Sequence, residues 1–95
     1  MILCVVSNSA YSYLWNIIED YINRINCDTV FICNKTDHQP PKNFTTYLYY
    51  DNAFNYTKRL LSTIQHIDAD YITLIHDINI ILHFDRDQNE KLYTI

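Results

Sequence analysis

Short unbroken apolar runs alternate along this chain with stretches where apolar residues recur three or four apart. Ile2-Leu3-Cys4-Val5-Val6 is the first such run, and Ser7-Asn8-Ser9 ends it. A run of this kind suits a central parallel strand covered on both faces. Leu14, Ile18, Tyr21 or Ile22, and Ile25 then share one helical face. Ser9 or Ser12 is the expected cap, and Asn26 the expected left-handed residue at the helix end. Thr29–Cys33, rich in β-branched and aromatic residues, predicts a second strand. Asn34–Asn43, with Pro40-Pro41 at its centre, predicts a loop. Thr46–Tyr50 follows as a third strand, and Tyr56, Leu60, Ile64 and Ile67 mark a second helix, broken at Asp68-Ala69-Asp70. Tyr71–His76 is a fourth strand and Ile78–Leu82 a short fifth segment, with Asp85 or Asp87 placed to cap a last helix.

Strands that alternate with helices predict an α/β fold, a Rossmann-like parallel sheet with helices on its faces. Right-handed crossovers leave the strand order 3-2-1-4 as the expected one. In that order the first and fourth strands are neighbours whose connections leave in opposite directions. Ligands of such folds bind in the crevice at the carboxyl ends of those two strands. Two polar clusters fall there, Ser7-Asn8-Ser9 and His76-Asp77-Ile78-Asn79.

Composition narrows the function. The chain has 95 residues, which suits one domain spanning residues 1–95. It has no glycine, so a glycine-rich phosphate loop is excluded. A net charge of -4, with scattered basic residues, argues against a nucleic-acid partner. No apolar run approaches the roughly 18 residues of a membrane span. Cys4, Cys27 and Cys33 are odd in number and form no C-x-x-C pair, which favours buried reduced thiols and a cytoplasmic setting. The richness in Ile, Asn, Tyr, Asp and Lys points to AT-rich coding sequence, as in a parasite, an endosymbiont or a large DNA virus. For a viral protein the setting becomes host cytoplasm or virion.

The stretch Tyr50-Asp51 through Arg59-Leu60-Leu61, then Asp70-Tyr71-Ile72-Thr73-Leu74-Ile75-His76-Asp77, resembles the nucleotide-binding front half of GT-A glycosyltransferases. The likeness is to glycosyltransferase-like proteins of bacteria and giant viruses, in which an acidic motif directly follows a strand. It covers most of Ile2–Leu82 in element order and particular residues only from about Tyr49 onward. The resemblance implies binding of a UDP- or GDP-type nucleotide sugar, with Mn²⁺ or Mg²⁺ bridging its diphosphate. Asp77 is the implied metal ligand and Asn79 its partner in a D-x-N variant, with His76 at the flank. Ser7, Asn8 and Ser9 would face base or ribose, and Asp51 and Asn52 would approach from the third strand. Asp77 is then expected to hold its carboxylate open to solvent.

The chain departs from that family where a second carboxylate commonly follows the first, because Ile78 stands there. The family also carries an acceptor-binding second half, whereas this sequence stops at Ile95. A truncated glycosyltransferase-like domain is the implied state, with no sugar transfer by the 95-residue chain and self-association through uncovered apolar surface. The rival expectation is a noncatalytic interaction or structural protein that keeps the fold without the ligand. Bland alternatives stand beside each residue. Asp77 suits a cap, His76 and His83 lack helical zinc-site spacing, Trp15 suits core packing, and Lys58-Arg59 suits solvated surface as well as a phosphate.

Overall fold

The computed structural model describes residues 2–80. Its elements are β1 (Ile2–Val6), a 3-10 helix (Ser9–Leu14), α1 (Trp15–Ile22), β2 (Asp28–Asn34), β3 (Thr46–Tyr50), α2 (Tyr56–His66) and β4 (Ile72–His76). All three strand pairings are parallel and the sheet order is β3-β2-β1-β4. This is the expected α/β, Rossmann-like arrangement. The helix caps foreseen at Asp85 or Asp87, and His83, lie outside the described residues.

Alternation along the strands builds two cores. Leu3 and Val5 of β1 and Phe31 and Cys33 of β2 join Trp15, Ile18 and Ile22 of α1 on one face. Cys4, Val6, Val30 and Ile32 form the other, against Leu60 and Ile67 on and just beyond α2. The strand register Val5↔Phe31 and Cys4↔Val30 keeps each set on its own face. The connection between β2 and β3 has no helix. It is pinned over the α1 face by the buried Pro41 and Phe44, with Tyr47 Oη donating to Pro41 O at 2.6 Å. Lys42 N–H donates to Glu19 Oε1 on α1 at 2.8 Å.

Four local expectations are corrected. The first helical stretch begins as a 3-10 helix capped by Asn8, whose side chain accepts from Ala10 N–H, rather than by Ser9 or Ser12. Ser9 is engaged elsewhere: its N–H donates to Asn34 Oδ1 and its hydroxyl accepts from Asn34 Nδ2. The helix closes at Asn23, so Asn26 is not its left-handed terminus. Among the described residues, only Asn43 in the β2–β3 loop has positive φ, at 77°. Asparagine tolerates that region better than other residues with a Cβ.

On α2 the buried stripe is rotated from the one foreseen. Thr63 is fully buried between Leu60 and Ile67, while Ile64 is 57% exposed. Thr63 fits because its hydroxyl donates to Arg59 O at 2.8 Å and bonds Tyr50 Oη at 3.2 Å. Finally, residues 77–80 are helical, so the short fifth segment foreseen from Ile78 begins as helix and directly joins the strand end, while Ile81 and Leu82 lie outside the described residues. Asp77 ends the strand by accepting from its neighbour's amide, Ile78 N–H to Oδ1, at 2.8 Å.

Burial pushes the Cys4 and Cys33 thiols up from 9.0 to about 11, whereas Cys27 is partly accessible. Maleimide under native conditions is expected to label Cys27 alone of the three, and all three after unfolding. Since the folded thiols titrate above the unfolded ones, their contribution is complete below pH 9.0 and is lost as pH rises toward about 11. Native labelling of Cys4 or Cys33 at neutral pH would contradict this burial.

Candidate functional site

The carboxyl ends of β1 and β4 lie side by side, with Val6 opposite His76. The helices that follow β1 and precede β4 sit on opposite faces of the sheet. The crevice between them opens as a cleft of about 280 Å³. It is lined by Val6, Ser7, Asn8, Tyr11, Tyr56, Arg59, His76, Asp77 and Ile78. A cleft therefore lies at the end of the sheet where a doubly wound fold is expected to bind its ligand.

A buried relay forms the floor. Trp15 Nε1–H donates to Ser7 Oγ at 2.9 Å, and Ser7 Oγ donates to Asp77 Oδ2 at 2.7 Å. The second carboxylate oxygen takes Ile78 N–H. Asp77 is only 6% exposed and Ser7 is buried with it. The expectation of an open Asp77 carboxylate is thus overturned. Both of its oxygens are engaged inside the protein, where a buried carboxylate requires donors.

The wall is aromatic and basic. The Tyr56 and His76 rings stack at 5.1 Å and 19°, and Tyr56 Oη bonds His76 Nε2 at 2.9 Å. Arg59 enters from the second turn of α2, below the cap in which Asn55 Oδ1 accepts from Lys58 N–H at 2.8 Å. Its Nε–H is shut off from solvent and has no hydrogen-bond partner. Burial dominates the Cys33 thiol, and two charges of this region are also felt there: Arg59 pulls it down and Asp77 pushes it up.

The residues expected at the site are therefore divided. Asn8, His76 and Asp77 line the cleft with Ser7. Ser9 is tied to Asn34. Asp51 and Asn52 are exposed and outside the cleft lining, with Asp51 Oδ1 accepting from Ala53 N–H in a local turn. Asn79 opens on a separate cleft with Tyr21, Ile75 and Ile80.

A divalent cation held by Asp77 and Asn79 does not fit this arrangement. The two side chains line different clefts, both carboxylate oxygens already accept a hydrogen bond, and the Arg59 charge shares the space. Among the described residues, no group of three or more His, Cys, Asp or Glu is placed to hold a metal ion. No helix among them is long and apolar enough to cross a membrane.

Pattern reasoning missed Tyr11 and Tyr56 as cleft residues and assigned Arg59 by default to solvated surface. The signal for Arg59 was present: it is adjacent to Leu60, on the buried side of α2. Lys58 does take the surface role, its Nζ lying 4.0 Å from the Phe54 ring centroid. No family model, no curated protein and no solved structure matches this chain.

Proposed function

We propose that the chain is a nucleotide-sugar-binding α/β domain of the glycosyltransferase type, taking a UDP- or GDP-linked donor in the carboxyl-edge cleft. The observation that carries this reading is the cleft at the β1/β4 switch point, lined by one guanidinium, two tyrosines and a histidine. Tyrosine faces suit a base or sugar ring, and a guanidinium suits a phosphate. The cleft at the opposite edge of the sheet, of about 200 Å³, carries Asp28 and Asp68 with His66 and is poorly suited to an anion. The resemblance around Tyr49–Asp77 makes glycosyl transfer the chemistry that such binding serves.

The second reading is a noncatalytic interaction protein on the same fold. What favours it is that Ser7, Ser9 and Asp77 hold the protein together through internal hydrogen bonds. Calorimetric titration of UDP and GDP, with and without Mn²⁺, separates the two. The nucleotide reading expects weak saturable binding of at least one. Heat of dilution alone in all four titrations would leave the noncatalytic reading.

A further inference from the structure

The geometry points to a metal-independent diphosphate site in which the Arg59 guanidinium takes the place of the divalent cation. The inference rests on the nucleotide-sugar reading for what carries the diphosphate, and on the cleft itself for how the charge is met.

Three observations converge on it. First, Arg59 lines the cleft with a buried Nε–H that lacks an acceptor. Leaving a buried donor unpaired is unfavourable, and more so for a charged group. An acceptor brought within reach of that Nε–H by a shift of the side chain would remove that penalty. Second, no salt bridge among the described residues compensates the charge. Among the described residues, the one ion pair joins Arg24 to Asp20 on α1 at 3.0 Å. The carboxylate sharing the cleft, Asp77, is satisfied by Ser7 and Ile78 and does not bond Arg59. Third, the foreseen metal pair is split, since Asp77 and Asn79 line different clefts.

The chemistry of the ligand follows. A guanidinium presents its donors in a planar fork that matches two oxygens of one phosphate. A phosphate held there, near the start of α2, would also gain from the partial positive charge of that helix end. The stacked Tyr56–His76 pair, Tyr11 and Asn8 line the same cleft. A mononegative or neutral ligand uses little of this. A diphosphate uses all of it.

The test is calorimetry on the full chain in EDTA with three probes: UDP, inorganic pyrophosphate and uridine. UDP and pyrophosphate are expected to bind without metal, to weaken as salt is raised, and to bind much more tightly than uridine. Arg59→Gln is expected to lower UDP affinity at least tenfold and Arg59→Lys to retain part of it. Lys58→Gln removes the same charge one residue away, outside the cleft, and is expected to leave affinity unchanged. Circular dichroism and melting of each variant separate lost binding from lost fold.

Binding of UDP only after Mn²⁺ is added would overturn this inference and leave the nucleotide reading standing. Equal loss in Arg59→Gln and Lys58→Gln would reduce the effect to net charge and overturn it too. Pyrophosphate binding that depends on Arg59, with no preference for UDP or GDP, would keep the anion site and remove the nucleotide. Silence from all probes would remove both.

Discussion

Phe31→Ala is expected to cost about 3–5 kcal/mol of folding stability, the range for a fully buried aromatic. Phe31 has 0% exposure in the central strand β2. Its ring meets Trp15 and Phe44 at 5.2 Å each, and Tyr47 and Tyr49 at 6.1 and 6.3 Å. No neighbour can collapse into the vacated volume without giving up its own contacts, so the cavity persists. Native domains hold only about 5–15 kcal/mol in total, and this chain is short. The variant is therefore expected to be partly unfolded at room temperature, as read by urea titration. Leu61→Ala, at an exposed position of α2, is the matched control, expected within about 0.5 kcal/mol of the parent. A Phe31→Ala cost near that of the control would contradict the core described here.

Asp77→Ala is expected to cost about 3 kcal/mol, because it strands both the Ser7 hydroxyl and the Ile78 amide. Asp77→Asn keeps the shape but can accept at only one of the two positions and must offer N–H to a donor at the other. It is expected to cost about 1–2 kcal/mol. Ser7→Ala leaves Trp15 Nε1–H without its acceptor. Combined with Asp77→Ala it is expected to cost clearly less than the sum of the single changes, as partners in one network do. Chemical denaturation of the four variants checks this. Additive costs, or an Asp77→Ala protein as stable as the parent, would mean the relay holds nothing together.

The fold was legible because its signals are cumulative. Ile2–Val6 and Thr29–Cys33 read as covered strands, and β1 and β2 prove to be the two central strands of the sheet. Once the order 3-2-1-4 follows, the β1/β4 crevice follows with it as the expected place for a ligand. What was not legible depends on where single side chains point. Asp77 after a strand reads equally as ligand or lock. Only the arrival of Ser7 from 70 residues away, itself positioned by Trp15, decides for the lock. The D-x-N spacing of Asp77 and Asn79 misled for a related reason. Residues 77–80 turn into a helix rather than continue extended, so the two side chains diverge onto different clefts. On α2, Ile64 and Thr63 competed for the buried position. The hydroxyl won through its bonds to Arg59 O and Tyr50 Oη, which no hydrophobicity pattern contains.

In the proposed site, Asp77 supports the cleft without touching the ligand, while Arg59 meets the ligand's charge. UDP titration of Asp77→Asn in EDTA, under conditions where the variant is folded by circular dichroism, tests that claim most directly. The prediction is affinity equal to or above that of the parent, since one negative charge beside the diphosphate has been removed. A folded Asp77→Asn protein that has lost UDP binding, or a parent whose binding appears only with Mn²⁺, would contradict it and return Asp77 to the role of a ligand.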